Sequence, residues 1–201
     1  LQLLDIQEMC EAEVIKIQNK NNHFTLFLKD GRKISGDKVI LAAGGKSSPN
    51  LGSNGSGYEL VTHFGHKLIQ PFPALVQLIL EGWFLKRLKG VKFQGKVSMI
   101  EKDRILQAED GEVLFTEYGI SGPPILQLSR KVGEVFQEKK SKPFVCVDLL
   151  PNLSEEQINN ILISRFAYHP EKSVEFSFVG MIHKRLIPVI LKEAGMDDLN
   201  K

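Results

Sequence analysis

Residues 38–60, KVILAAGGKSSPNLGSNGSGYEL, run an apolar stretch into two glycines, a lysine and a second glycine cluster. A strand that empties into a glycine-rich loop and then a helix brings backbone N–H groups up to a phosphate. A P-loop needs G-x-x-x-x-G-K-[ST]. If Gly45, Lys46 and Ser47 close it, position 40 must be glycine, and it is Ile40. Gly52, Gly55 and Gly57 follow the order G-x-x-G-x-G, which is not the G-x-G-x-x-G of a primary dinucleotide turn. A third arrangement survives: a later strand ending in a triplet of small residues, which lets the backbone approach a dinucleotide. Ala42, Ala43 and Gly44, followed by Gly45, have that form. The same residues also suit a buried strand ending in a tight glycine turn, so both readings stand.

Other chemistry-bearing residues are weaker candidates. Ser121 sits in GISGP, but a nucleophile elbow needs G-x-S-x-G and the fifth residue is Pro123. Its position suits a cap for a helix starting at Pro123 or Pro124. His63 and His66 have H-x-x-H spacing, yet zinc needs two further ligands and the neighbouring sequence offers no Cys or His cluster. His169 precedes Pro170 in a turn, and His183 stands beside Lys184 and Arg185 in a solvated stretch. Trp83 and Phe84 follow a strand and suit packing, or the lining of a substrate site.

Composition limits the function classes. The 201 residues are 42% hydrophobic and 25% charged, with a net charge of +2 from 26 Lys+Arg and 24 Asp+Glu. That balance lacks the basic excess of a nucleic-acid binder. No window reaches the roughly 18 apolar residues of a membrane span. Cys10 and Cys146 are far apart in apolar or mixed runs, as buried free thiols of a reducing cytoplasm would be. The N-terminal LQLLDIQEMCEAEV starts at Leu1, carries acids and has no basic leader. It resembles the interior of a longer protein.

Hydrophobic periodicity places the elements. Residues 11–18 and 23–29 alternate as strands, with NKNN and KDGRK as turns. KVILAA, 38–43, predicts a strand buried on both faces, and GYELVTHFGH a two-turn helix ending at Gly65. From Phe72 to Leu150 the texture is β: 74–81, 91–102, 104–110, 112–117 and 143–150, with EKDR and EDGE as turns and a helix from Pro123 to Gln137. From Pro151 the chain turns helical. Ser154 and Gln157 form a capping-box pattern ahead of a stripe of Leu153, Ile158, Ile161, Leu162 and Phe166. A further helix over 173–195 is kinked or split at Pro188. The expected class is α+β.

Three segments in order, VILAAGGKSSPNLGSNGSGYELVTHFGHKLIQPFPALVQL (39–78), GEVLFTEYGISGPPILQLSR (111–130) and VDLLPNLSEE (147–156), resemble NAD(P)/FAD-dependent oxidoreductases of the aminoacetone-oxidase type, with bile-acid-related reductases as relatives. The resemblance covers nearly the whole chain. It implies part of an FAD-binding domain over 1–50 (a β-meander and the last core strand), an inserted β-rich barrel-like unit over 51–150 and a helical subdomain over 151–201. The insert would cover the flavin and shape a small-molecule substrate pocket. The resemblance implies FAD as cofactor and NAD(P)H as a candidate electron donor. Val14 would border the adenine end, and Ala42, Ala43, Gly44 and Gly45 would form the second cofactor motif. Thr116, Glu117, Gly119, Ser121 and Gly122 would form a loop facing substrate or flavin. Many family members carry His where this chain has Glu117, so the resemblance assigns no acid or base. Family members also carry an N-terminal G-x-G-x-x-G and a C-terminal flavin-closing segment. Neither is in this sequence, so the 201 residues alone are expected to bind FAD weakly or not at all and to be catalytically silent. An alternative reading is a stand-alone binding module derived from the insert.

Overall fold

The computed structural model describes residues 6–139 and 142–196. The chain divides into two compact units, Leu1–Pro71 and Phe72–Lys201.

The first unit opens with an antiparallel meander of β1 (Val14–Lys20), β2 (His23–Leu28) and β3 (Lys33–Gly36), in the order β1-β2-β3. Asn21 and Asn22 join β1 to β2 with φ of 51° and 61°. Two successive positive φ values make the tight turn whose twist matches a hairpin, and asparagine tolerates them. Ile17 and Leu28 are buried, and Phe24 packs against Phe64 with ring centroids 6.2 Å apart. Residues 38–45 depart from expectation. KVILAA forms no strand, and Ile40 is 92% exposed. An apolar run becomes a buried strand only when neighbours supply its hydrogen bonds, and no described segment pairs with this one. A short 3₁₀ turn, Pro49–Leu51, leads to α1 (Ser56–Thr62).

The second unit holds β4 (Leu78–Ile79), α2 (Leu85–Leu88), β5 (Lys92–Glu101), β6 (Arg104–Phe115), β7 (Gly119–Ser121), α3 (Pro123–Lys139), β8 (Phe144–Asp148), α4 (Glu155–Tyr168), α5 (Val174–Ser177) and α6 (Ile187–Glu193). Its sheet is antiparallel in the order β4-β7-β6-β5-β8. Lys102 and Asp103, at φ 48° and 63°, turn the β5–β6 hairpin as the asparagines turn the first. The expected turn at EDGE is absent, and β6 runs unbroken through it. Gly111 lies opposite Gly95 in register, so the longest ladder of the unit continues across Asp110. The strand expected over 74–81 shrinks to two residues. Leu75 adopts φ 55°, and the Val76 N–H donates to Ser129 Oγ at 3.2 Å instead of to a ladder.

The core lies where α3 presses Ile125, Leu128 and Val135 onto Val97, Met99, Val113 and Ile120 of the sheet. Leu85, Leu88, Leu186 and Val189 extend it. Ser121 lies in β7, so the position before α3 is Gly122 and not the serine expected to cap it. α4 carries the expected capping box: Ser154 Oγ accepts from the Gln157 N–H at 3.2 Å, and Gln157 Oε1 accepts from the Ser154 N–H at 2.8 Å. The helix expected over 173–195 is split between Phe178 and Leu186, and Pro188 stands in the first turn of α6, where its missing N–H costs nothing. No helix among the described residues is long and apolar enough to cross a membrane.

Leu128 is fully buried, so Leu128→Ala is expected to destabilise the protein by about 2–5 kcal/mol in urea unfolding. Ser154→Ala should cost about 1 kcal/mol through the lost cap. The exposed Ile163→Ala should stay within about 0.5 kcal/mol of wild type.

Candidate functional site

The glycine loop wraps the start of α1. Gly55, at φ 81°, precedes the helix, and Asn54 Oδ1 accepts from the Ser56 N–H at 3.0 Å. Small residues are required here by close approach. A Cβ at Gly57 would meet Ala43 Cβ at 3.1 Å, and one at Gly45 would meet the Tyr58 hydroxyl at 3.2 Å. Gly44 adopts φ 73°, which a side chain strains. Ala42, Ala43 and Gly44 are exposed and Gly45 is half-buried. The result is a ribbon of nearly bare backbone, packed from one side by α1 and open on the other.

Val14 lies beside the same helix. With Lys16, Ser56, Glu59, Leu60 and His63 it lines an open groove of about 470 Å³ between β1 and α1. Val14 and the ribbon therefore flank one helix.

Thr116, Glu117, Gly119, Ser121 and Gly122 lie together in the second unit, in the turn from β6 into β7 and on to α3. The Thr116 N–H donates to the Gly119 carbonyl at 2.9 Å and closes the turn. A Cβ on Gly119 would fall 1.9 Å from the Leu78 carbonyl oxygen, and one on Gly122 2.2 Å from that of Glu112. Those glycines are fixed by neighbouring backbone. Ser121 is half-buried opposite Leu114. Only Glu117 and its neighbour Tyr118 present side chains to solvent. Glu117 forms a 2.7 Å ion pair with Lys89. The Lys89 hydrogen bond and charge, helped by Lys86, hold its carboxyl below the usual carboxylate range. The Thr116 hydroxyl is buried with no hydrogen-bond partner. A buried orphan of this kind costs about 1–3 kcal/mol.

The helical part holds a groove that sequence reasoning did not single out. Arg165 Nη1 donates to the Ser177 and Val179 carbonyls at 2.7 and 2.9 Å, joining α4 to the end of α5. Tyr168, Phe176 and Val179 line an opening of about 380 Å³ beside it. Of the residues singled out from sequence, His169 lines it, and the groove itself is not legible there because it needs two helices at once.

Two substitutions test these placements. Gly119→Ala should destabilise the protein by about 3 kcal/mol or more in urea unfolding, because backbone blocks the new methyl. Lys89→Met should raise the Glu117 pKa toward its ordinary value, read by carboxyl-carbon NMR titration. In the wild-type protein the pair's contribution is complete above the ordinary carboxylate pKa of 4.5 and fades as pH falls through the depressed folded value.

Residues 72–201 match the family model described as the HI0933-like protein barrel and H2TH domain. The chain is 37% identical over 163 residues to the 3-dehydro-bile acid delta(4,6)-reductase of Clostridium scindens, covering 81% of this chain and 40% of that relative. It is 29% identical over 196 residues to the ribosomal RNA dihydrouridine synthase of Escherichia coli, covering 94% of this chain and 44% of that relative. The corresponding Haemophilus influenzae synthase is 28% identical over 190 residues, covering 93% and 44%. The chain thus spans less than half the length of these curated relatives. An antiparallel sheet packed by α3 and followed by helices agrees with this family's barrel-and-helix description, and the chain belongs to the HI0933-like family, a family of the flavoprotein oxidoreductase type.

Proposed function

We propose that this chain is the central part of an FAD-dependent reductase. In this reading residues 1–50 contribute to the FAD-binding domain, and the following unit, with its helical end, covers the flavin and shapes the substrate pocket. The observation that carries it is the ribbon Ala42–Gly44, exposed small residues held against α1 in a chain of this family. A flat dinucleotide needs bare backbone of that kind, so these residues fit the group. Val14, across α1, would border its adenine end. The orphaned Thr116 hydroxyl also fits, since a loop that awaits a hydrogen-bond partner suits one completed by flavin or substrate.

When bound, FAD supplies the hydride chemistry, with NAD(P)H as the electron donor. The chain's own residues have three tasks: Ala42 to Gly45 admit the cofactor, the 116–122 turn fixes the pocket wall, and Lys89 holds the Glu117 carboxylate in place there through their ion pair. The relatives' names denote hydrogen added across carbon–carbon double bonds, in a steroid and in the uracil ring of RNA. Reduction of a carbonyl-conjugated double bond is the reaction class we carry to this protein.

Ala42→Leu in the intact protein tests the assignment. Ala42 is exposed, so folding should be unchanged, while the added bulk should weaken FAD retention by about tenfold or more, a loss of about 1.4 kcal/mol. Flavin-to-protein absorbance ratios after dialysis give the measurement. Undiminished retention would remove the ribbon from the cofactor site.

A further inference from the structure

The sequence holds one Asn-Gly pair, Asn54-Gly55, and the fold leaves it in the short arm that joins the 3₁₀ turn to α1. Asn54 is exposed and lies in no helix or strand. Asparagine carries an electrophile, its side-chain amide carbon Cγ, within reach of the next backbone nitrogen. Attack of that nitrogen on Cγ closes a cyclic succinimide. A side chain on the following residue obstructs the approach, and glycine has none.

The local geometry assists that attack. Asn54 Oδ1 accepts from the Ser56 N–H at 3.0 Å. This bond closes a ring that contains both Asn54 Cγ and the Gly55 nitrogen, so the reacting atoms stay together. It also polarises the amide carbonyl, on whose oxygen negative charge develops during the attack. Among the described residues the Gly55 N–H donates to no backbone carbonyl, so no such bond has to break first. The same arm is stitched to the proposed cofactor ribbon. The Ser53 N–H donates to the Ser48 carbonyl at 3.1 Å. Ser53 Oγ lies 3.6 Å from where a Gly44 Cβ would stand, and Lys46 Cβ lies 3.4 Å from where a Gly55 Cβ would stand.

We propose that Asn54 is a self-modifying site whose conversion to isoaspartate loosens the ribbon's hold on the cofactor. The Gly55 nitrogen bonds to Asn54 Cγ, the Cγ–Nδ2 bond breaks, and the side-chain nitrogen leaves as ammonia with the Gly55 proton. Water then opens the succinimide, and nothing is oxidised or reduced. Opening at Cγ gives aspartate on an ordinary backbone. Opening at the main-chain carbonyl gives isoaspartate, which routes the chain through Cβ and inserts a methylene between residues 54 and 55. The lengthened arm then presses on Gly44 and Lys46, which it already touches. The effect on the cofactor rests on the flavin reading; the chemistry at Asn54 does not.

The test incubates the intact protein at neutral and at mildly alkaline pH and follows it over days by peptide mass mapping, with isoaspartate methyltransferase labelling and flavin-to-protein absorbance on the same samples. Asn50, in the 3₁₀ turn and followed by Leu51, is the internal control. Asn54 should convert at least about tenfold faster than Asn50, because only its attacking nitrogen is unobstructed. The rate should rise with pH, since the Gly55 N–H must lose its proton to attack. Flavin should be lost in step with the isoaspartate fraction, while circular dichroism shows the fold retained. Asn54→Ser keeps an oxygen for the Ser56 N–H but cannot cyclise, and it should hold its flavin through the same incubation. An Asn54 that converts no faster than Asn50 would overturn the proposal. So would isoaspartate-containing protein that keeps its flavin as fresh protein does, or an Asn54→Ser variant that loses flavin as fast as wild type. Intact protein with no flavin at the start would instead remove the flavin reading and the cofactor effect with it, leaving the chemistry at Asn54 to be decided by mass.

Discussion

The second unit depends on two places where backbone touches backbone. The Leu78 carbonyl reaches the space a Cβ on Gly119 would need, and the Glu112 carbonyl does the same at Gly122. Through the first contact β4 joins the sheet beside β7. Through the second β7 lies tightly enough on β6 for α3 to start at once and cross the sheet. Ile120, between the two glycines, is fully buried, and α3 then delivers Ile125 and Leu128 into the same core. The 116–122 turn is therefore rigid because its glycines are occupied by structure. Glu117 and Tyr118 are left to face outward at its tip, so the turn can present functional groups from a fixed frame.

The glycine loop of the first unit shows the same economy with the opposite exposure. Gly45 and Gly57 are small because Tyr58 and Ala43 press on them. Ala42, Ala43 and Gly44 remain uncovered. Close packing thus bears on Gly45 and Gly57, while the proposed cofactor contact bears on Ala42 to Gly44. The side facing α1 explains Gly45 and Gly57 without any ligand. On the open side Ala42 is exposed, and it is there that the proposed cofactor would lie.

How much was legible in the sequence follows from how local each signal was. The hairpin turns at Asn21-Asn22 and Lys102-Asp103, the capping box at Ser154 and the helix from Pro123 could be read because a few adjacent residues carry each one. The EDGE segment misled because Asp-Gly favours a turn locally, while the ladder opposite, with Gly95 facing Gly111, keeps the strand straight. KVILAA misled for the complementary reason. Its pattern specifies a strand, but a strand needs a partner and no described segment supplies one. The helical stretch over 173–195 is split, as one of the two expected outcomes, but the break falls at 178–186 and Pro188 starts the second helix instead of marking the break. For the candidate site, the residue types in both loops could be read. Which of them point outward could not, because that is decided by tertiary neighbours such as Leu78 and Glu112.

Charge gives the sharpest case of information that exists only after folding. A net charge of +2 on 201 residues is a sum, and a sum has no location. Lys86, Arg87 and Lys89 form a short basic run, while Arg185 and Lys192 stand apart near the end of the chain, and neither group exceeds what a solvated surface carries. The carbonyls of Arg87 and Lys89, left open at the end of α2, need donors, and Arg185 is the donor that arrives. Satisfying those backbone groups brings the two sets of cations together, and Arg87 and Lys192 both lie over the ring of Trp83, whose Nε1–H donates to Glu193. A backbone requirement thus concentrates charge that the composition spreads evenly. The field at a surface follows the local arrangement and not the total, so a nearly neutral chain can still carry a locally basic face.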